Sequence, residues 1–409
     1  MKIKNVLIAV LLIITFGGCA TTGTGPSVEP EVAKKVEEVP DEPLDITFAG
    51  FAFLGDYSQK DFLYPYSSRI ALEQEPGKLG QSKLNHKLFN AVRDEIRNPY
   101  MNLSPENADY KQGDTISLAF AVSTEKKRVQ RFRGNYFVHH EVYAQIVVFD
   151  FEEMKIIATY PIRVQHSDFL NEEPSDDFSM DIFRKIYGLV PGMKNDIVKL
   201  WVKRMNEIRV KETFGDHIRI VEVVVPSETL NIVPAHLKKD GAFQKEAGQL
   251  LETFLSSNQS VPVVPYAEGG SLGAMRIRFS NSEIYSFTLP EADYGLYLKV
   301  RPFIKTVIDK KSFSQVAYGS FIDLKLRHVD LDETYMNASF RNVPTTELDK
   351  SAGTQLNDWD EFQKSIQNLF NKFTKQLSIM DSDYFNETTR TENIKSQFQK
   401  FMNIINKVR

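Results

Sequence analysis

Few residues in this chain have both a type and a spacing that could do chemistry. Cys19 is the only cysteine among 409 residues, and it follows an apolar run from Val6 to Phe16 and the small pair Gly17-Gly18. A single thiol can form neither an internal disulfide nor a cysteine-only metal site, but it can be modified. A second group is Gly269-Gly270-Ser271-Leu272-Gly273, with the Gly-x-Ser-x-Gly spacing of a strained turn that exposes a serine nucleophile. His328 is the one histidine downstream, with Asp323 among the intervening acids, so Ser271, His328 and Asp323 form the candidate catalytic set. That turn requires a helix after the serine. Ala274 to Phe279 alternates like a strand instead, and a glycine-rich turn is the competing reading.

Metal chemistry is poorly supplied. His139-His140-Glu141 places two imidazoles side by side, but neighbours on a strand point to opposite faces and cannot readily share an ion. Asp330-Leu331-Asp332-Glu333-Thr334 begins like a calcium loop, yet Tyr335 stands where glycine is needed. Gly55-Asp56-Tyr57-Ser58 weakly resembles the opening block of the Gly-Asp-Ser-Leu hydrolases, with Tyr57 displacing the serine. No metal site and no cofactor are expected. Two charged stretches complete the set: Lys126 to Arg133, read as a basic hairpin tip, and Glu172 to Asp177, read as the approach to a helix N-terminus.

The elements that would position these groups follow from periodicity. Residues 20–45 are rich in Thr, Pro, Glu and Val with no recurring apolar face, which predicts a disordered tether averaging roughly 28 Å in span. Strands are predicted at Ile46 to Leu54 and Ile116 to Val122, with a hairpin of Tyr136 to Phe149 and Lys155 to Gln165. Helices are predicted at Leu84 to Ile96, Asp181 to Gly188 and Asp196 to Val210, the last capped by Asn195 or Asp196. The second half reads similarly. A strand at His217 to Val225 and a helix at Gly241 to Leu255 precede strands at Val261 to Tyr266, Met275 to Ser280, Ile284 to Leu289, Gly295 to Ile308 and Ser314 to Arg327. Helices over Asp358 to Met380 and Glu392 to Val408 close the chain. In the first of these, Trp359, Phe362, Ile366, Leu369, Phe370, Phe373 and Leu377 form one stripe. The expected fold is α+β: two tandem domains, residues 46–212 and 213–409, each a mostly antiparallel sheet packed with helices.

Lys2 and Lys4 before the apolar run outline an export signal. The run is about eleven residues, short of the roughly 20 that cross a bilayer as a helix. Phe16-Gly17-Gly18-Cys19 resembles the lipobox of bacterial lipoproteins, with Phe16 where Leu is usual. The resemblance implies a signal peptide over residues 1–18, diacylglycerol on the Cys19 thiol and usually palmitate-type acylation of the new amine. It also implies a flexible tether over 19–45. Ala20 after the cysteine, rather than Asp, implies the outer membrane. The element order of each half is similar to the domain of the TolB N-terminal region and of CsgG-type and PelC-type envelope lipoproteins. That likeness implies an accessory or assembly role through other envelope proteins.

Composition agrees in class. With 42% hydrophobic and 25% charged residues the chain is ordinary globular material, and a net charge of -4 disfavours nucleic acid as a partner. The sequence thus predicts a membrane-tethered binding protein. The alternatives are an envelope serine hydrolase using Ser271 and His328, and a lipoprotein holding a ligand in a pocket between its halves.

Overall fold

Gly50 sets the geometry of the first strand, β1 (Leu44–Leu54). It sits at φ +94°, a conformation that glycine adopts without strain, and the register of β1 slips there by one residue. Ile46 and Phe48 before the bulge therefore share a face with Phe51 and Phe53 after it. Ala49, Ala52 and Leu54 take the other face. The computed structural model describes residues 42–54, 63–74, 82–104, 116–132, 135–211, 215–266, 274–279, 283–309, 312–331, 333–349 and 357–409.

The rest of the first half is α1 (Ser67–Ala71), α2 (Lys83–Asp94), β2 (Met101–Ser104), β3 (Ile116–Phe132), β4 (Asn135–Asp150), β5 (Lys155–Leu170), α3 (Asp176–Ile186) and α4 (Ile197–Met205). β1 runs parallel to β2 and β3, and β3, β4 and β5 form an antiparallel meander. The helices cover the face that carries Phe48, Phe120 and Ile146; Trp201 of α4 and Phe89 of α2 both pack on Phe48, with ring centroids 5.3 and 5.1 Å away. Asp196 caps α4 by accepting from Lys199 N at 2.9 Å, and Ser175 caps α3 by accepting from Phe178 N at 3.0 Å.

The second half contains β6 (Ile218–Val224), α5 (Ser227–Ile232), α6 (Ala235–Lys238), α7 (Ala242–Gln259), the hairpin β7 (Ala274–Phe279) and β8 (Ile284–Thr288), then β9 (Tyr294–Val300), β10 (Ile304–Asp309), β11 (Phe313–His328), β12 (Thr334–Asn342) and β13 (Thr345–Asp349). It closes with α8 (Asp358–Ile379), α9 (Ser382–Thr388) and α10 (Ile394–Val408). Its sheet repeats the first: β6 is parallel to β9, β9 antiparallel to β11, and β11 antiparallel to β12. β6 also carries a one-residue bulge, between Ile220 and Glu222. The α8 stripe from Trp359 to Leu377 is buried as the sequence predicts, together with α7 and α10, on one face of this sheet. β12 would present an open edge, but Gln397 Oε1 and Thr391 Oγ1 accept from its Asn337 and Ser339 amides.

The α+β fold is therefore present, and several segments depart from the sequence reading. The expected division between the halves falls between α4 and β6, and β7 and β8 beyond it pair with the first sheet. β7 joins β1 (Ala52 opposite Phe279), β8 meets β5 at Lys155 and Thr288, and the first sheet closes on itself. Inside the ring, Phe149, Phe279 and Phe287 fill the space left by Ala49, Ala52, Ala119 and Ala121. The expected strand from Val261 to Tyr266 is a single bridge, Val264 to Arg219, in an otherwise irregular segment. The expected strand from Gly295 to Ile308 is broken over residues 301–303, where Pro302 offers no amide to a ladder. The basic run is strand rather than tip, because β3 extends to Phe132.

Candidate functional site

The densest grouping of ionisable side chains lies where α7 meets the inner face of β3, β4 and β5. Alternation along the strands puts Lys126 and Arg128 of β3, His139, Glu141 and Tyr143 of β4, and Arg163 of β5 on that face. α7 contributes Glu246, three residues after Phe243 and four before Leu250 and so within its buried stripe. Glu246 Oε2 accepts from Arg128 at 2.5 Å and from Lys126 at 3.2 Å, and its Oε1 accepts from Gln363 Nε2 of α8 at 3.0 Å. Glu141, 0% exposed, pairs with Arg163. The Tyr143 ring lies between two cations, with Lys126 Nζ 5.0 Å and Arg163 Cζ 5.4 Å from its centroid.

Burial alone would raise both carboxyls. Lys126 and Arg128 outweigh it and hold Glu246 down at about 2, and Arg163 with Lys126 lowers Glu141. Burial also lowers His139, so the imidazole stays neutral beside this network. Glu246 and Glu141 are thereby held as ion-paired carboxylates. Their arrangement is that of a clasp between the two sheets. Arg204 of α4 extends it by donating to Ser256 Oγ at 2.8 Å, and Thr159 of β5 donates to Val263 O at 2.6 Å.

Two buried carboxyls behave oppositely. Burial lifts Glu125 to about 7 although Ser67 and the Tyr66 and Ser67 amides donate to it, and lifts Glu252 to about 8 against one amide, Tyr266 N. Both serve as internal acceptors for backbone ends. Neither lines either of the two cavities described below.

The sequence-derived candidates are not drawn together. Cys19 and Ser271 lie outside the described residues, as do Gly55 to Ser58. His328 and Asp323 both belong to β11, five residues apart and on opposite faces, roughly 17 Å along an extended strand. His328 Nδ1 accepts from the amides of Asp330 and Leu331 at 3.3 and 3.4 Å, whereas Asp323 accepts from Ser339 Oγ at 2.7 Å. No His to Asp relay exists between them. His139 and His140 do point to opposite faces: His139 bonds Ser167, and His140 lies edge-on to Phe183. Among the described residues no group of three His, Cys, Asp or Glu is placed to hold a metal ion.

Two cavities bear on ligand binding. The crevice between β5 and the Pro262 to Pro265 segment, at the junction of the halves, measures about 10 Å³, room for a single water. A groove of about 690 Å³ lies instead beside β1 and β2, lined by Asp45, Thr47, Arg97, Asn98 and Asn102 among others. No sequence motif marks the clasp. Its signal was the charged positions 246, 126, 128, 141 and 163 inside otherwise apolar segments, legible only once pairing is known.

No protein-family model and no curated protein matches the chain. Solved structures match in part. A minor lipoprotein of Acinetobacter baumannii is 11% identical with a TM-score of 0.21, over 40% of this chain and 93% of its own. A Caulobacter crescentus protein assigned as a lipoprotein is 11% identical with a TM-score of 0.18, over 33% of this chain and 79% of its own. A Helicobacter pylori homolog of the neuraminyllactose-binding hemagglutinin is 12% identical with a TM-score of 0.25, over 44% and 94%. At these scores the matches describe what the chain is locally similar to and carry no argument about its activity.

Proposed function

We propose that this chain is an envelope lipoprotein, anchored through lipid on Cys19 and acting by binding rather than catalysis, as an assembly accessory at the outer membrane. The observation that carries the reading is the placement of the only cysteine at the end of the apolar run, after Gly17-Gly18. Among the described residues no helix is long and apolar enough to cross a membrane; in this reading two or more acyl chains on Cys19 supply the anchor. Two features support binding over catalysis. The carboxylates of Glu246 and Glu141 are taken up in ion pairs, and His328 and Asp323 are turned away from each other. The division into modules at 46–212 and 213–409, and their likeness to TolB, CsgG-type and PelC-type domains, belong to this proposal.

Mass spectrometry of the mature N-terminus with membrane fractionation tests it. The expected result is an acylated Cys19 and outer-membrane recovery, both lost in Cys19→Ser. A Cys19→Ser chain that still sediments with membranes at unchanged mass would overturn the anchor.

A further inference from the structure

We propose that the open face of the second sheet is a docking surface for an anionic lipid bilayer, a reading that rests on the membrane anchoring above and adds a second point of contact. Helices bury one face of β9, β11 and β12, with Leu296, Leu298, Ile322, Leu324 and Leu326 pointing into the core. The alternate residues face the other way. On the two central strands they include Lys299, Lys325 and Arg327, joined just past β9 by Arg301. Asp323 is the one carboxylate among them, 3.7 Å from Arg301. On the flanking strands Arg219 and Arg341 add two cations and Glu222 and Glu347 two carboxylates, so six cations face three anions among the described side chains, a local reversal of sign in a chain of net charge -4.

Apolar groups continue this face at one end. Gly319 leaves the room in which the Phe321 ring lies, and Arg301 stands over that ring at 5.8 Å. Next to Gly319 in register is Ile304 of β10, and Ile308 follows on the same side. They are 52% and 47% exposed, and all six residues of β10 are exposed. Cations beside exposed aliphatic and aromatic side chains match a lipid interface, where headgroup phosphates meet the first methylenes. Nucleic acid or an acidic peptide would account for the cations and leave Ile304 and Ile308 unexplained.

The test measures partition of the full chain onto neutral phosphatidylcholine vesicles and onto vesicles with about one-third phosphatidylglycerol. An acyl anchor contributes to both, so their ratio reads the face alone. The expected ratio is at least about tenfold at low salt, falling toward one at about 0.5 M salt. Lys299→Glu with Lys325→Glu should abolish it, while Lys372→Glu with Lys375→Glu on exposed positions of α8 changes net charge equally and should retain most of it. Ile308→Asp should weaken partition further in the anionic vesicles. A ratio near one in the unaltered chain overturns the proposal, as does equal loss in both double variants. Salt-sensitive retention on immobilised polyglutamate without preference for anionic vesicles assigns the face to an acidic protein and also overturns it. Failure of the anchor reads differently: binding to neutral vesicles disappears while the ratio persists.

Discussion

The two sheets share a strand order and differ in what covers them. In each, a bulged strand is followed by a helix, a parallel partner and two antiparallel strands. The first sheet is covered on both faces, by helices outside and, within the ring that β7 and β8 complete, by the side chains of its own strands. The second is covered on one. The strands record the difference: Leu118-Ala119-Phe120-Ala121-Val122 is apolar throughout, whereas Ile322-Asp323-Leu324-Lys325-Leu326-Arg327 alternates. Continuous apolar strands need partners on both faces, and alternating strands need one. The bulges differ as well. β1 places its glycine on the bulged strand, at Gly50; β6 bulges with Val221, and the glycine is on the partner, where a Cβ at Gly295 would lie 2.8 Å from Val221 Cγ2.

Emptying the first ring should have the largest effect. Phe287 is fully buried with its ring 4.7 Å from Phe149, so Phe287→Ala should cost about 3–5 kcal/mol in denaturant unfolding. Lys299→Ala on the open face of the second sheet should stay within about 0.5 kcal/mol. Equal costs would mean that the two faces are not differently covered. Glu246→Ala leaves the half-buried Lys126 and Arg128 without their carboxylate and should cost about 3 kcal/mol. If Arg128→Ala in that background restores nothing, the clasp is not an electrostatic unit.

The bulges offer a smaller test. Gly50→Ala forces a side chain into φ +94° with Asn85 Oδ1 3.3 Å from the new Cβ, for an expected loss of about 1–2 kcal/mol. Gly295→Ala should be as costly through collision with Val221, and Val221→Ala should rescue the second substitution only.

The last test is the most specific in its pH dependence. Glu252 titrates at about 8 when folded against 4.5 in a free chain, so its acid form is the one the fold favours. Its contribution is fully present below pH 4.5 and is lost as pH rises through about 8. Glu252→Gln keeps an acceptor for Tyr266 N and should raise the melting temperature at pH 9 relative to the parent, with little difference at pH 4. A variant that tracks the parent across that range would place this carboxyl in water.

Much of the fold was legible where structure is local. The α8 stripe, the caps Ser175 and Asp196 and the β4 to β5 hairpin depend on neighbours within a few residues. β12 and β13 escaped notice because Thr, Asn and Ser dilute their alternation, and β2 because it has four residues. Val261 to Tyr266 has strand composition, yet its hydrogen bonds divide between Thr159 of one sheet and Ile218 of the other. The clasp was illegible for a related reason: Glu246 is 120 residues from Lys126, and only the approach of α7 to β3 makes them partners.

The sequence by itself determined the α+β class, the order of the elements and the placement of a single thiol after an apolar run, because period, caps and composition act over a turn or two of chain. Only the tertiary structure decided that β7 and β8 close the first sheet and that buried charges join the halves. Those outcomes depend on which surfaces meet across a hundred residues or more, and desolvation and ion pairing exist only after they have met.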